Sequence, residues 1–104
     1  MPRWVYAMTQ HDLPEGFKAT MELEGKEIVE VVLANVGGTI CAFENPCPHD
    51  GGALGEGELL GEEIVCPLHG GRFNVRTGTS PTDPRLSVRT FPVRIEHEEV
   101  HVEC

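Results

Sequence analysis

The sequence lacks what several large classes of protein require. No apolar run comes near the roughly 18 residues that a membrane-spanning helix needs, so we expect no membrane span. Basic residues are few, 8 against 17 acidic residues, and the net charge of −9 disfavours nucleic acid and anionic membranes as partners. The N-terminal segment lacks the charged head and apolar middle of a signal peptide, so we expect a cytoplasmic location.

Aromatic residues are also scarce, and the four cysteines are too few for a dense disulfide framework, which limits how the fold is held together. A length of 104 residues predicts one domain, and an aromatic content of 6% predicts that its core is modest. Two of the four cysteines lie outside any motif: Cys41 in a short apolar run, where we expect a buried free thiol, and Cys104 at the end, where we expect exposure. A disulfide between them is an open alternative. Without a disulfide framework, the chain fits a reducing compartment.

No segment has a sustained helical period, and the pattern of Val, Ile and Thr between turn residues predicts an all-β fold. The nearly continuous apolar run at 28–33 predicts a central strand. Pro92 predicts an edge or bulge. The predicted strands are 4–7, 18–23, 27–34, 39–43, 57–60, 63–65, 72–74, 86–90, 92–97 and 100–103.

Two short motifs carry the other two cysteines. Cys47-Pro48-His49 and Cys66-Pro67-Leu68-His69 are separated by sixteen residues, and each offers one thiolate and one imidazole. Mixed pairs suit an asymmetric binuclear site in which one iron has two cysteines and the other two histidines, as in a Rieske [2Fe–2S] centre. A structural zinc site is the alternative, although zinc fingers usually group like ligands together.

The residues around both motifs strengthen the first interpretation. Gly51-Gly52 and Gly70-Gly71 follow the two motifs, and a proline-bearing loop spans 79–84. With these features, residues 44–86 resemble the Rieske family, specifically the small soluble Rieske-type [2Fe–2S] ferredoxins of bacterial oxygenase systems. The resemblance implies one [2Fe–2S] cluster per chain. Its implied ligands are Cys47, His49, Cys66 and His69.

The expected architecture is a single Rieske domain in two parts. Residues 1–44 and 75–104 are expected to form an antiparallel β sandwich or barrel base. Residues 45–74 are expected to form a small inserted cluster-binding β subdomain. The resemblance also implies that His49 and His69 lie at the tip of this subdomain, near solvent.

The resemblance implies a one-electron carrier and no enzyme activity in this polypeptide. The expected partners are an NAD(P)H-dependent flavoprotein reductase as donor and a terminal oxygenase as acceptor, and we expect a monomer. Too few residues remain for the mononuclear iron domain of an oxygenase. The alternative is the small subunit of a larger reductase, such as nitrite reductase. That family commonly lacks the ligands, so the complete set here counts against it.

Departures from the respiratory Rieske proteins predict a different redox behaviour. Gly52 and Leu68 stand where those proteins carry two further cysteines, so their disulfide cannot form. Gly71 and Phe73 stand where they carry hydroxyl donors near the cluster. Loss of two donors destabilises the reduced cluster, so we expect a potential near the low end of the Rieske range.

Two further patterns need an interpretation. Five of the eight basic residues lie in 72–94, where Asp83 is the single acid, and the acidic residues elsewhere predict a face that steers the protein toward basic docking sites. Ordinary solubility is the alternative. Residues 97–101 spell the H-E-x-x-H pattern of zinc proteases, but strand-like alternation on both sides predicts a turn at Glu98-Glu99, and not a catalytic helix. Four glutamates of the acidic face lie between the ligand motifs: Glu56, Glu58, Glu62 and Glu63.

Overall fold

A computed structural model describes residues 3–49 and 51–104. Within these residues, ten strands form three antiparallel sheets and there is no α-helix, which confirms the all-β prediction. Two short 3₁₀ turns, Gln10–Asp12 and Leu54–Glu56, lie in the connections between strands. The strands are β1 (Trp4–Thr9), β2 (Lys18–Glu24), β3 (Ile28–Val36), β4 (Thr39–Glu44), β5 (Leu59–Leu60), β6 (Glu63–Val65), β7 (Arg72–Asn74), β8 (Thr90–Phe91), β9 (Val93–Glu96) and β10 (Glu99–Glu103).

The three sheets are stacked in layers. The strand orders are β1-β10-β9, β2-β3-β4-β8 and β5-β6-β7. The four-stranded sheet is the middle layer because side chains from both of its faces are buried, each in a different apolar cluster. The small sheet β5-β6-β7 carries one of the two predicted ligand motifs at the loop between β6 and β7.

Strand β3 explains why the middle sheet has two buried faces. Successive side chains of a strand point to opposite faces. Val31 and Leu33 pack in the cluster that contains Val100 of β10. Val32 and Ala34 pack in the other cluster, beneath the ligand loops. The continuous apolar run that predicted a central strand therefore supplies both cores.

One predicted strand is wrong. Residues 86–90 were expected to form a strand, but only Thr90 belongs to one, and Ser87 makes only an isolated bridge to Thr79. The reason is that this segment turns toward the proline-bearing loop: the N–H of Leu86 donates to the carbonyl of Asp83 over 3.0 Å, and Val88 packs beneath the ligand loops. Its apolar residues serve that cluster and not a sheet ladder.

The ends of the chain's last strands also differ in detail from expectation. Cys104 was expected to be exposed, and this is wrong: it is partly buried, and its N–H donates to the carbonyl of Arg3 over 2.9 Å. Pro92 lies between β8 in one sheet and β9 in another. At this position its missing N–H interrupts no strand ladder.

The H-E-x-x-H pattern lies across the β9–β10 hairpin, which confirms a turn in place of a helix, although the turn comes one residue earlier than the predicted Glu98-Glu99 because β10 begins at Glu99. Its first two residues, His97 and Glu98, form the two-residue turn with φ of 51° and 66°. Over the described part of the chain, no helix has the length and apolarity to cross a membrane.

Candidate metal centre

The first motif occupies a loop that begins at the end of β4. An isolated bridge between Pro46 and Ala53 closes this loop. Inside it, the N–H of Cys47 donates to the carbonyl of Gly52 over 2.7 Å, and the N–H of Gly51 donates to the carbonyl of Cys47 over 2.8 Å. The backbone of Cys47 is therefore fixed by both of its own polar groups.

The second motif occupies the loop between β6 and β7 and has the same internal bonds. The N–H of Cys66 donates to the carbonyl of Gly71 over 2.7 Å, and the N–H of Gly70 donates to the carbonyl of Cys66 over 3.0 Å. Val65 and Arg72 pair directly below the loop. The two cysteines are thus presented by backbone loops of the same design.

This shared design corresponds to a repeat in the sequence, Cys-Pro-x-x-Gly-Gly at 47–52 and 66–71. The first glycine of each loop is left-handed, with φ of 78° at Gly51 and 73° at Gly70, a conformation that side chains disfavour. The spacing between cysteine and histidine does not show this repeat, because the histidine is the third residue of the first repeat and the fourth residue of the second.

Burial separates the two kinds of predicted ligand. Cys47 is 3% exposed and Cys66 1%, and both belong to the apolar cluster beneath the loops. His49 and His69 are exposed, and their rings meet edge to face with centroids 5.7 Å apart. The structure therefore places the two thiols inside and the two imidazoles outside, as the tip position predicts.

A small cleft lies beside the imidazoles, beneath the proline-bearing loop. Its volume is about 90 Å³. Pockets that enclose small organic molecules usually measure about 300–1,000 Å³. The cleft is therefore too small to enclose an organic substrate. It is lined by His49, His69, Gly71, Phe73, Ser80, Thr82, Asp83 and Leu86.

The proline-bearing loop is tied together by its own hydroxyl groups. Ser80 is 5% exposed, and its hydroxyl oxygen accepts the N–H of Asp83 over 3.1 Å and contacts the hydroxyl of Thr82 at 3.0 Å. The Thr82 hydroxyl oxygen accepts the N–H of Arg72 over 3.3 Å. This last bond attaches the loop to the second ligand hairpin.

An ion pair that the sequence did not reveal lies at the rim of the cleft. Arg85 donates to the carboxylate of Asp83 from Nε and Nη2, each over 3.1 Å. These bonds, together with the N–H of Arg85, hold the pKa of the Asp83 carboxyl below its ordinary value. The only sequence signal was that Asp83 is the single acid in a basic stretch.

The four glutamates of the predicted acidic face differ in their surroundings. Glu62 pairs with Arg76 at 3.0 Å, and Glu63 pairs with Arg72 at 3.4 Å. Glu56 and Glu58 are exposed and have no ion pair within the described residues. The unneutralised negative charge in this group therefore lies on Glu56 and Glu58.

None of the four cysteines, all of which are among the described residues, forms a disulfide. Cys41 was expected to be a buried free thiol; it is free but only partly buried, and this burial raises the pKa of its thiol. Burial also raises the pKa of the Cys104 thiol. Both thiols are therefore protonated at neutral pH, which suits a structural role.

The donor set fits a Rieske cluster. Such a cluster takes two cysteines on one iron and two histidines on the other. The two loops supply these donors from one end of the molecule, and the apolar surroundings of the thiols exclude water from the cysteine side. Among residues 3–49 and 51–104, no three or more His, Cys, Asp and Glu side chains converge on a single metal ion, whereas a Rieske cluster needs only two protein ligands on each of its two irons.

A comparison with known families decides the assignment. The sequence profile of the Rieske [2Fe-2S] domain matches residues 3–92. The chain belongs to the Rieske [2Fe–2S] domain family. Its cofactor is therefore a Rieske [2Fe–2S] cluster, and the zinc alternative has no support.

Similar Rieske proteins include carriers and subunits of larger systems. The chain is 38% identical over 102 residues to the ferredoxin component of a naphthalene 1,2-dioxygenase system from Pseudomonas aeruginosa, covering 97% of this chain and 95% of the relative. A chain of the solved complex of reduced oxygenase and oxidized ferredoxin in carbazole 1,9a-dioxygenase has a TM-score of 0.87 and 32% identity, with coverage of 96% and 92%.

A third similarity concerns the alternative function. The structure of a putative NADH-dependent nitrite reductase small subunit from Mycobacterium tuberculosis has a TM-score of 0.87, with coverage of 100% of this chain and 96% of that one. Its sequence identity is 23%, so the similarity supports the shared fold alone.

Proposed function

We propose that this Rieske protein is a one-electron carrier and that Cys47, His49, Cys66 and His69 hold its cluster. The observation that supports this most directly is the arrangement of the two matched loops, with buried thiols and exposed imidazoles. When bound, the cluster supplies one reversible electron by a change of one iron between the ferric and ferrous states.

The four side chains have different tasks in this proposal. Cys47 and Cys66 would hold one iron as thiolates, whose negative charge would favour the ferric state. His49 and His69 would hold the other iron as neutral imidazoles, which would favour the ferrous state. The second nitrogen of each imidazole is a hydrogen-bond donor toward a docked partner. The exposed imidazoles shorten the distance over which an electron must pass.

The partners follow from the relatives. We infer that a flavoprotein reductase that uses NAD(P)H is the donor and that a terminal oxygenase is the acceptor. The support is the similarity over nearly the full length to a ferredoxin component of a dioxygenase system and to a chain of an oxygenase–ferredoxin complex. The encounters are expected to be transient, as is usual for electron-transfer proteins. We infer a cytoplasmic monomer.

The same proposal divides the domain in two parts. Residues 1–44 and 75–104 form the base, and residues 45–74 form the cluster-binding subdomain. The separation of the sheet β5-β6-β7 from the other two sheets supports this division. Catalysis of substrate conversion is assigned to the oxygenase partner, because the similar proteins are ferredoxin components of dioxygenase systems.

Spectroscopy of the purified protein tests the cofactor and its ligands. The protein is reconstituted anaerobically with iron and sulfide, reduced with dithionite and measured by EPR and visible absorption. We expect iron and sulfide in the equal amounts of one [2Fe–2S] cluster per chain, and a rhombic signal. Cys47→Ser and His49→Cys are expected to abolish or change this signal, while Cys41→Ser is expected to leave it unchanged.

Two results would contradict the proposal. Colourless protein that folds but binds no iron after reconstitution would exclude the electron-carrier role. An unchanged EPR signal in the Cys47→Ser variant would exclude the proposed ligand set. Copurification then distinguishes a separate carrier from a subunit: a subunit of a larger reductase remains with its enzyme through gel filtration, whereas a carrier elutes alone.

A further inference from the structure

Asn45 is a buried polar residue two positions before Cys47. It is 5% exposed, and both its backbone and its side chain are hydrogen-bonded. Its N–H donates to the carbonyl of Glu30 over 2.9 Å, and its carbonyl accepts the N–H of Leu54 over 2.9 Å. Its side-chain Nδ2 donates to Oε1 of Glu30 over 2.6 Å, and its Oδ1 accepts the N–H of Gly55 over 2.8 Å.

These four bonds join three parts of the molecule. Glu30 lies on β3 in the middle sheet, whereas Leu54 and Gly55 lie in the 3₁₀ turn that follows the first ligand loop. Asn45 itself precedes that loop. The residue therefore connects the entrance of the loop to its exit and attaches both to the central strand of the fold.

The first loop needs such a connection more than the second. The second loop is supported by the ladder between β6 and β7, in which Glu63, Ile64 and Val65 each have a partner. Among its described residues, the first loop has an isolated bridge, Pro46–Ala53, in place of a strand ladder, and proline cannot donate a backbone hydrogen bond. Asn45 supplies the bonds that a longer ladder would otherwise provide.

We propose that Asn45 is a positioning residue that holds the first ligand loop, and with it Cys47 and His49, in place against the second loop. This inference rests on the proposed ligand set. Residues that orient metal ligands without touching the metal usually change metal affinity by about ten- to a hundredfold when they are replaced. Asn45 acts through backbone groups on both sides of its loop.

The chain contains a closely matched control. Asn35 is 8% exposed, its Nδ2 donates to the carbonyl of Leu13 over 2.8 Å, and its Oδ1 accepts the N–H of Gly38 over 2.9 Å. Its N–H and carbonyl are also bonded, to Phe17 and Gly16. Asn35 lies near the opposite end of β3 from Glu30, and none of its hydrogen-bond partners belongs to a ligand loop, so Asn35→Ala reports the general effect of losing a buried asparagine.

The test compares Asn45→Ala with Asn35→Ala in the reconstituted protein. Two quantities are measured: the rate at which iron passes to an excess of a ferrous chelator, and the g-values and line widths of the dithionite-reduced EPR signal. We expect Asn45→Ala to release iron about ten- to a hundredfold faster than wild type and to broaden the signal. We expect Asn35→Ala to leave the g-values unchanged and to release iron within about twofold of wild type.

A second set of variants keeps the side chain's size. Asn45→Asp places a carboxylate against the carboxylate of Glu30, so it should release iron faster than wild type. In the double variant Glu30→Gln/Asn45→Asp, the new amide at position 30 can donate to the new carboxylate at position 45, and that carboxylate can still accept the N–H of Gly55. This double variant is expected to recover the wild-type release rate and signal.

The outcomes separate this inference from the proposed function. Equal effects of Asn45→Ala and Asn35→Ala on iron release and EPR would overturn the positioning role. If Asn45→Ala does not fold, failure of Glu30→Gln to rescue Asn45→Asp overturns it. A wild-type protein without a [2Fe–2S] cluster would instead overturn the proposed function, before any variant is compared.

Discussion

The guanidinium of Arg85 holds both carboxylate oxygens of Asp83, each over 3.1 Å, at the rim of the cleft that contains His49 and His69. A negative charge beside a redox centre favours its oxidised form and lowers its potential. We expect Asp83→Asn to raise the midpoint potential by tens of millivolts, measured by EPR-monitored redox titration. Asp12→Asn, an exposed change in the first 3₁₀ turn, is the control. An unchanged or lower potential in Asp83→Asn would contradict this.

The same ion pair has a pH dependence of known sign. Arg85 lowers the pKa of Asp83 in the folded protein, so the pair stabilises the fold at pH values above the ordinary carboxyl pKa of about 3.9. This stabilisation is lost as the pH falls through the lowered folded pKa. We expect the difference in unfolding midpoint between wild type and Asp83→Asn, measured by urea titration, to be constant above about pH 5 and to shrink in acid. A difference that grows in acid would refute the sign.

Gly71 offers a way to raise the potential by a hydrogen bond. A Cβ at this position would meet only Cε2 of Phe73, at 4.0 Å, so a serine fits without displacement. We expect Gly71→Ser to raise the midpoint potential, because its hydroxyl adds a donor near the cluster that stabilises the reduced form. Gly71→Ala is the matched control, with the same Cβ and no hydroxyl. Equal shifts in both variants would show that the hydroxyl has no role.

The unpaired glutamates predict a dependence on salt. Glu56 and Glu58 carry exposed charge without an ion pair among the described residues, so they can steer the protein toward a basic partner. We expect Glu56→Gln/Glu58→Gln to slow electron delivery to the oxygenase severalfold at low ionic strength and to flatten its salt dependence. Glu62→Gln/Glu63→Gln is the control, because Arg76 and Arg72 already neutralise those charges. The same salt response in both double variants would exclude steering by Glu56 and Glu58.

The β9–β10 turn predicts a stabilising change away from the metal centre. His97 and Glu98 both have positive φ, which costs side chains about 1–2 kcal/mol per residue, whereas Asn-Gly suits a turn of this type. We expect His97→Asn/Glu98→Gly to raise the free energy of unfolding by about 1 kcal/mol, measured by urea titration. Glu99→Gly, one residue later in β10, is expected to lower it. Destabilisation by the turn variant would contradict the assigned conformation.

The sequence was most informative where local pattern and structure coincide. The apolar run of β3 predicted a central strand because it supplies two buried faces, and the mixed Cys and His pairs predicted the Rieske family that the profile match shows. Asn45 gave no such signal, because its side-chain partner Glu30 is 15 residues away and only the fold brings them together. Leu86 and Val88 were wrongly assigned to a strand. Their apolar character indicated burial, but the sequence did not show which part of the fold they would pack against.

If these four residues hold the cluster as proposed, the burial of Cys47 and Cys66 beneath the exposed His49 and His69 leaves the imidazole end as the place where electrons enter and leave. The proposed donor and acceptor must then bind the same end of the protein, so the two cannot be bound at the same time. Turnover of the whole system would then be limited by the rate at which this protein dissociates from the reductase and binds the oxygenase. A long-lived complex with either partner would slow electron transfer.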